Sequence, residues 1–341
     1  MSTTWPDVLG SLVAREDLSA AQIAWAMGEI LTGEATPAQI AGFAVALRAK
    51  GVTAPELSAL SDALYGAATP ITVPGRTLDI VGTGGDRSMS VNISTMSAIV
   101  AAGAGAKVVK HGGRSASSQS GSADVLEALG IPLDLPAERV AAVAEQAGIT
   151  FCFAPSFHPA MRFAGPPRRE LGIATAFNLI GPMSNPARPT AYALGCADPA
   201  MLPVIAGVFA LRGVDAWVFR GDDGLDELTT TTTSTVKVVG GGEVTSWTVD
   251  PGAFGFAPAT IDDLRGGDAA HNADVVRRLL AGETGPVRDA VLLNAGAGLA
   301  VYDAAPGSLD DRLAAGIAKA AHAIDSGAAR ATLDRWVAAT A

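Results

Sequence analysis

Glycines, hydroxyl side chains and basic side chains are concentrated in one stretch of the chain, residues 78–124. An apolar run at 78–81 stops at GTGGD (82–86), a pattern that predicts a buried strand followed by a tight glycine turn. Because glycines have no Cβ, the N–H groups of such a turn can converge on an anion, and a polyphosphate needs several such donors. A carboxylate beside a phosphate is repulsive unless a cation lies between them, so Asp86 indicates magnesium at the same place.

Two neighbouring features also favour anion binding. Ser94 or Thr95 of the segment NIST precedes an apolar run and is predicted to cap a helix, whose N-terminus would be a second anion site. A second strand, predicted at 106–109, leads to KHGGR (110–114) and then to five serines between 115 and 122. Basic side chains neutralise phosphate, and hydroxyls donate to its oxygens. Glycine turns are common after strands, but all these features together predict a phosphate site.

An acid-rich loop further along the chain offers ligands for the cation. Residues 221–227 read GDDGLDE and follow a strand predicted at 216–219. Acid-rich loops are often only solvated. The adjacent Asp226 and Glu227 can nevertheless hold a hard cation, because magnesium takes one or two carboxylates together with substrate phosphate.

Composition limits the class of protein. The chain has 341 residues, of which 49% are hydrophobic, so it can bury a large core and is expected to form two domains. No apolar run has the length of a membrane span, and the start of the sequence lacks the features of a signal peptide, so a cytoplasmic protein is expected. A net charge of −10 argues against nucleic acid as a partner. Cys152 and Cys196 lie in apolar runs and are expected to be buried free thiols.

Hydrophobic periodicity predicts an α/β protein with a small N-terminal helical domain and a larger α/β domain, whose central, mostly parallel sheet is flanked by helices. The helical domain is expected at 1–72, joined by helices from about 159–190, and the α/β domain at 73–341. Within these domains, caps and apolar runs predict helices at 19–31, 36–47, 53–64, 125–129, 136–147, 200–211, 273–280, 287–302, 309–324 and 328–337, a strand at 149–154, and an edge hairpin at 236–239 and 244–249.

Taken in order, GTGGD, NIST, KHG-x-R and SGSAD resemble the anthranilate phosphoribosyltransferases of tryptophan biosynthesis, a family with the nucleoside phosphorylase and phosphoribosyltransferase fold. The resemblance runs through most of the chain. It continues in FCFAPSFHPAM (151–161), RRELG (168–172), FNLIGPMSNPA (177–187) and GLDEL (224–228).

The resemblance implies transfer of the phosphoribosyl group from phosphoribosyl pyrophosphate to the amine of anthranilate, with Mg²⁺ and with a homodimer formed through the helical domain. The residues that it implies for phosphoribosyl pyrophosphate are Gly82, Gly84, Gly85, Asp86, Ser90, Asn92, Ile93, Ser94, Thr95, Lys110, His111, Gly112, Gly113, Arg114, Ser115, Ala116, Ser117, Ser118 and Ser122. Those implied for anthranilate are Gly82, His111, Gly113, His158, Met161 and Arg168, and those for the metal are Ser94, Asp226 and Glu227. A covalent nucleophile is not expected, and a general-base role for either histidine is left open.

Three positions depart from the family pattern. The family normally has asparagine where this chain has Gly113, glycine where it has Arg87, and threonine where it has Ser90. Loss of the asparagine amide removes a hydrogen-bonding group and opens space, so a different aromatic acid or amine is an alternative acceptor. An inactive nucleotide- or nucleic-acid-binding homologue is an alternative of another class, and a pyrimidine nucleoside phosphorylase ranks below both.

Overall fold

The computed structural model of the protein describes residues 3–114 and 119–341. The predicted ligand residues Ser115, Ala116, Ser117 and Ser118 lie outside the described residues. The helices are α1 (Trp5–Val13), α2 (Ala20–Thr32), α3 (Pro37–Lys50), α4 (Ala54–Gly66), α5 (Ile93–Gly103), α6 (Ser122–Ala128), α7 (Ala137–Ala147), α8 (Ala154–Phe157), α9 (Gly165–Leu171), α10 (Ala176–Ile180), α11 (Leu202–Arg212), α12 (Ala269–Leu280), α13 (Pro286–Asp303), α14 (Leu309–Asp325) and α15 (Ala328–Thr340). The strands are β1 (Leu78–Gly82), β2 (Val108–Gly112), β3 (Ile149–Phe153), β4 (Ala191–Gly195), β5 (Asp215–Gly221), β6 (Ser234–Gly240) and β7 (Glu243–Val249).

Helices α1 to α4 form a helical unit whose boundaries are set by local capping. Ser19 accepts a hydrogen bond from the Gln22 N–H at the start of α2, and Thr36 does the same for the Gln39 N–H at the start of α3. Helix α2 ends at Gly33, whose φ of 86° suits a residue without a Cβ. The three helices predicted for this region are confirmed.

Residues that follow β3 in the sequence pack against this helical unit. The rings of Phe43 on α3 and Phe177 on α10 lie 6.4 Å apart, and Ala164, Ile180 and Met183 are buried in the same apolar cluster. The domain boundary at residue 72 stays a prediction. The contacts nevertheless show that the helical unit is packed against α9 and α10 as well as against α11.

The seven strands of the described residues form one sheet in the order β3-β2-β1-β4-β5-β6-β7. The first five strands in this order are parallel to one another. Strand β6 runs antiparallel to both of its neighbours, β5 and β7. Helices α5 and α13 pack on one face of the sheet and α11 on the other. The predicted fold class and the hairpin at the sheet edge are confirmed.

Two predicted boundaries were wrong near the glycine-rich stretch. Helix α5 begins at Ile93 with Asn92 at its N-cap, so Ser94 lies inside the first turn and is not the cap. Strand β2 spans Val108–Gly112, where the sequence predicted 106–109, so Lys110 is a strand residue. A buried strand residue is usually apolar. Lys110 is tolerated there because its ammonium group makes hydrogen bonds to the Ile80 carbonyl and to Ser94.

Cys152 and Cys196 are buried and free, as predicted. In the part of the chain that the structure describes, no helix is both long and apolar enough to span a membrane.

Candidate active site

The carboxyl ends of the parallel strands bring the predicted site residues to one edge of the sheet. Strands β1, β2, β4 and β5 each end in a glycine at this edge. The loops that follow these four strands therefore lie side by side, which is where open α/β sheets bind their ligands.

Two glycines of GTGGD have the conformation predicted for an anion-binding turn. Gly84 and Gly85 have φ values of 67° and 87°, in the left-handed region that favours glycine. The Gly84 N–H donates to the Asp226 carboxylate at 2.6 Å, so one donor of the turn holds a protein carboxylate. The Gly85 N–H belongs to the exposed part of the turn.

Gly82 and Gly195 have a steric function that the sequence did not reveal. A Cβ on Gly82 would lie 2.3 Å from Asp226 Oδ2, and a Cβ on Gly195 would lie 1.6 Å from the Asp226 carbonyl oxygen. Because real Cβ atoms do not approach so closely, the missing side chains let the Asp226 turn pack directly on the ends of β1 and β4.

Three carboxylates crowd together at this edge. Asp226 and Glu227 are each 9% exposed. Burial, followed by the repulsion of Asp86, raises the pKa of Asp226 to about 7, and burial together with the Asp226 charge raises the pKa of Glu227. Like charges this close disfavour joint ionisation unless a cation neutralises them.

Lys110 and Ser94 complete this charged cluster. Lys110 is 1% exposed, and its Nζ donates to the Ile80 carbonyl at 2.5 Å and to Ser94 Oγ at 3.2 Å. The backbone N–H of Ser94 partly offsets the rise in the pKa of Glu227, so Ser94 lies close to both the lysine and the carboxylate. Burial lowers the pKa of Lys110 while Asp79 and Glu227 raise it. The structure thus brings together Ser94, Lys110 and Glu227, and their roles toward a ligand stay predictions.

The donor set suits magnesium bound jointly with a substrate. Among the described residues, no three histidine, cysteine, aspartate or glutamate side chains form a ready-made metal cluster. Two adjacent carboxylates beside a hydroxyl leave coordination positions for phosphate oxygens and water, which is how magnesium is usually held.

The threonine run after the acid-rich loop explains that loop's shape. Asp222 and Asp223 are exposed, and their carboxylates accept hydrogen bonds from threonine hydroxyls. The donors are Thr229 and Thr231 to Asp223, and Thr233 and Thr235 to Asp222. Two of the four acids therefore shape the turn, and the other two face the site.

Asn294 anchors the same turn and was missed by the sequence reasoning. Its Nδ2 donates to the Leu228 carbonyl at 2.8 Å, and its Oδ1 accepts from the Leu228 N–H at 2.9 Å. Helix α13 therefore binds both the N–H and the carbonyl group of Leu228, the residue after Glu227. The available signal was a polar amide in the otherwise apolar run of that helix.

Two buried histidines face each other at 5.0 Å between ring centroids, His111 from β2 and His158 from the turn after α8. His111 Nδ1 lies 3.1 Å from the Gly181 carbonyl oxygen, and His158 Nε2 lies 2.9 Å from that of Ser184. Because a carbonyl oxygen only accepts, these two nitrogens carry the protons.

The other nitrogen of each ring is therefore a lone-pair acceptor. His111 Nε2 and His158 Nδ1 are buried and have no hydrogen-bond partner in the described part of the chain. Burial, followed by the charge of His158, lowers the pKa of His111 to about 3, and burial lowers that of His158. Both imidazoles are neutral near pH 7, with two acceptors available to a ligand's N–H groups.

Arg168 on α9 is a half-buried cation whose guanidinium lies 5.9 Å from the centre of the Phe177 ring. Burial lowers its pKa. Its guanidinium makes no hydrogen bond or ion pair within residues 3–114 and 119–341, so a carboxylate ligand could bind it in a bidentate geometry. Met161, also half-buried, lies in the 3₁₀ turn Pro159–Phe163.

Asp79 and Asn185 form a hydrogen-bonded chain that holds the backbone of His111, and neither residue was predicted from the sequence. The His111 N–H donates to Asp79 Oδ1 at 3.3 Å, and Asn185 Nδ2 donates to Asp79 Oδ2 at 2.9 Å. Burial raises the pKa of Asp79 to about 7. An aspartate inside an apolar strand was the signal that could have identified it.

The loop between the glycine turn and α5 is held by the segment before α12. Arg87 and Met89 have φ values of 60° and 56°, unusual for residues with side chains. The Gly266 N–H donates to the Met89 carbonyl at 2.7 Å, and Ser90 pairs with Arg265 in an isolated β-bridge. Ser90 keeps its hydroxyl at 3.2 Å from that of Ser88.

Several predicted phosphate ligands have protein partners. Arg114 is exposed and forms ion pairs with Asp124 and Glu127. The Asn92 amide donates to the Ser120 carbonyl and accepts from Asn272.

Three other predicted phosphate ligands, Ile93, Thr95 and Ser122, lie in the first turns of helices α5 and α6. Ile93 and Thr95 are buried, so only their backbone N–H groups could face a ligand. The Thr95 hydroxyl donates to that of Ser122 at 3.1 Å. Their role in binding phosphate stays a prediction.

Comparisons with known proteins agree with this geometry. Residues 6–68 match the glycosyl transferase family helical bundle domain, and residues 74–330 match the glycosyl transferase family a/b domain. An anthranilate phosphoribosyltransferase from Nocardioides sp. is 72% identical over 339 residues, 99% of each chain. One from Streptomyces griseus is 60% identical over 337 residues, covering 99% of this chain and 95% of the relative.

Solved structures give the same result. A crystal structure of anthranilate phosphoribosyltransferase from Thermus thermophilus has a TM-score of 0.91 and 41% identity, with 98% of this chain and 99% of that chain covered. The Saccharomyces cerevisiae enzyme in complex with PRPP and Mg has a TM-score of 0.90 and 26% identity, with 100% and 98% covered. The resemblance in the sequence is confirmed, and the chain belongs to the anthranilate phosphoribosyltransferase family.

Proposed function

We propose that the protein transfers the phosphoribosyl group of phosphoribosyl pyrophosphate to the amine of anthranilate, giving N-(5-phosphoribosyl)anthranilate and pyrophosphate. This is the second step of tryptophan biosynthesis from chorismate. The observation that carries the proposal is the carboxylate cluster of Asp86, Asp226 and Glu227 at the same sheet edge as the neutral pair His111 and His158. The cluster suits a metal-bound pyrophosphate, and the histidine pair suits an uncharged amine.

On the donor side, Ser94, Asp226 and Glu227 would hold Mg²⁺, because their oxygens crowd together and their negative charge requires a cation. When bound, the ion supplies positive charge against the departing pyrophosphate. The exposed N–H of Gly85 and the N-terminus of α5 donate to phosphate oxygens. Breaking the anomeric bond leaves positive charge on the ribose, so this side acts by charge stabilisation.

On the acceptor side, His111 Nε2 and His158 Nδ1 accept hydrogen bonds from the two N–H groups of the aromatic amine. Arg168 pairs with the acceptor carboxylate in a bidentate geometry. A pKa of about 3 makes His111 a weak base, so its function is to orient the amine. The weakly basic amine attacks the anomeric carbon directly as the bond to pyrophosphate breaks, and the proton that the amine then loses passes to the departing pyrophosphate or to water. A covalent enzyme intermediate is not part of the mechanism.

A second candidate function is the same transfer to a substituted aromatic acid. Among residues 3–114 and 119–341, a Cβ on Gly113 would have only the Ala154 Cβ within 4 Å, at 3.9 Å, so this part of the chain leaves space beside Gly113. Such space would accommodate a ring substituent on the acceptor.

The purified chain should consume anthranilate fluorescence when phosphoribosyl pyrophosphate and Mg²⁺ are added. A panel of ring-substituted anthranilates distinguishes the two candidates: turnover of a substituted acid but not of anthranilate would favour the second. No turnover of any acceptor would refute both.

Two sets of variants test the residue roles. Asp226→Asn combined with Glu227→Gln should abolish magnesium-dependent turnover, and near-normal rates would refute the metal assignment. Arg168→Ala should raise KM for anthranilate far more than KM for phosphoribosyl pyrophosphate. The matched control is Arg169→Ala, since Arg169 is the exposed neighbour on the same helix.

We also propose that two copies associate through the helical unit. Val13 on α1 and Val45 on α3 are 77% and 39% exposed, so the helical unit offers apolar side chains that a second copy could cover. Sedimentation should give a dimer for the wild-type chain and a monomer for Val13→Glu with Val45→Glu. A wild-type monomer would refute this interface.

A cytoplasmic location follows as a proposal from the two buried free thiols and the absence of a spanning helix among the described residues. Fractionation of the source cells tests it, and recovery in the membrane or exported fraction would refute it.

A further inference from the structure

The segment Gly181–Asn185, between α10 and β4, supplies the carbonyl groups that fix both acceptor histidines. The Gly181 carbonyl accepts from His111 Nδ1, and the Ser184 carbonyl accepts from His158 Nε2. Which ring nitrogen presents a lone pair to a ligand therefore depends on where this segment places two oxygens.

Ser61, on α4 of the helical unit, is hydrogen-bonded to this segment. Its Oγ lies 2.7 Å from Ser184 Oγ and 3.1 Å from the Met183 carbonyl oxygen. Ser61 and Ser184 are both fully buried. Since Ser184 Oγ donates its single proton to the Ile180 carbonyl at 2.6 Å, the Ser61 hydroxyl is the donor in the serine pair.

We propose that Ser61 is a positioning residue for His158. Its hydroxyl holds Ser184, and the Ser184 carbonyl in turn keeps the His158 proton on Nε2 and the lone pair on Nδ1. The inference rests on the proposed contact of His158 with the acceptor amine. It links the helical unit to acceptor binding, although Ser61 itself does not touch the substrate.

Removal of the Ser61 hydroxyl has a specific physical consequence. In a site closed to water, Ser184 Oγ then loses its donor and the Met183 carbonyl loses a partner. Ser184, and with it the Ser184–Asn185 peptide whose carbonyl accepts from His158, is therefore free to shift. A neutral imidazole has two tautomers, and without a well-placed carbonyl the Nδ1–H form of His158 becomes accessible. That form presents a donor to the N–H groups of the amine, which weakens acceptor binding and leaves the pyrophosphate side unchanged.

The kinetic test compares Ser61→Ala with Ser58→Ala. Ser58 is on the same helix, and its hydroxyl makes a long contact of 3.4 Å to Asp62. Ser61→Ala should raise KM for anthranilate about tenfold, the worth of one buried hydrogen bond, with KM for phosphoribosyl pyrophosphate unchanged. Ser58→Ala should leave both constants unchanged. An equal rise in both constants for Ser61→Ala would indicate a merely structural role and overturn the proposal.

A tautomer measurement gives a readout independent of activity. The chain contains four histidines, so ¹⁵N resonances can be assigned with single His→Gln variants. The wild-type protein should show His158 protonated at Nε2, and Ser61→Ala should show a population protonated at Nδ1 while His111 keeps its tautomer. An unchanged His158 tautomer in Ser61→Ala would overturn the proposal.

Two further variants separate this inference from the proposed site. His158→Gln should raise KM for anthranilate, and an unchanged constant would refute the acceptor role of His158 itself. If His158→Gln raises KM while Ser61→Ala does not, only the positioning inference fails. In the double variant Ser61→Ala with Ser184→Ala, the two effects on KM should be non-additive because both act through one hydrogen bond, and simple additivity would contradict the chain of contacts.

Discussion

The free energy of unfolding should depend on pH through His111. Burial lowers the pKa of His111 from 6.5 to about 3 in the folded protein. Between these values the unfolded chain binds a proton that the native state does not, so stability falls as pH falls. The slope approaches about 1.4 kcal/mol per pH unit, which gives roughly 2 kcal/mol between pH 7 and pH 5 from this residue. The pKa of His158 is lowered too, so it adds to the loss in the same direction.

Urea unfolding followed by tryptophan fluorescence between pH 7 and pH 5 measures this effect. The quantity of interest is the difference in pH slope between the wild-type chain and His111→Asn, because other ionisable groups contribute equally to both. His111→Asn should have the shallower slope, and His322→Asn, a change at an exposed position on α14, should keep the wild-type slope. Equal slopes for wild type and His111→Asn would refute the conclusion that His111 is buried in its neutral form.

Three other changes give distinct expectations. Gly195→Ala should destabilise the protein by about 3 kcal/mol or more in urea unfolding, because its Cβ would overlap the Asp226 carbonyl oxygen; a near-neutral change would contradict the packing. At position 87, Arg87→Gly should be about 1 kcal/mol more stable than Arg87→Ala, since the φ of 60° strains any side chain, and equal stabilities would speak against that backbone conformation. Gly113→Asn should leave stability within about 0.5 kcal/mol, because there is room for its side chain, but should lower kcat/KM for bulky ring-substituted acceptors relative to anthranilate; an unchanged ratio would remove Gly113 as a specificity determinant.

Local patterns were sufficient for the architecture. The glycine turn after β1 and the proline and threonine signals at the start of α3 are features of neighbouring residues, and such features report local structure directly. The boundary of β2 could not be obtained this way. The charge of Lys110 predicts a loop residue. Its place in the strand is explained only by the Ile80 carbonyl and the buried carboxylates around it, which come from distant parts of the chain.

Contacts between distant parts of the chain account for what was missed. Asn294 binds Leu228 from 66 positions away, and Ser61 binds Ser184 from 123 positions away. Neither pairing leaves a periodic trace in the sequence. The threonine run had no interpretation for the same reason, since its function depends on the turn that places Asp223 beside it.

The return of the chain to the helical unit also determines the order in which the protein can fold during synthesis. The apolar cluster that contains Phe43 and Leu60 also contains Phe177 and Phe209. At about 5–20 residues per second, the ribosome needs about 7–30 seconds to make the chain between residues 66 and 209. Until then the first four helices expose the apolar faces that α10 and α11 later cover. We therefore expect the nascent chain to be prone to aggregation over this interval, and slow translation between residues 66 and 209 to prolong the exposure of these apolar faces.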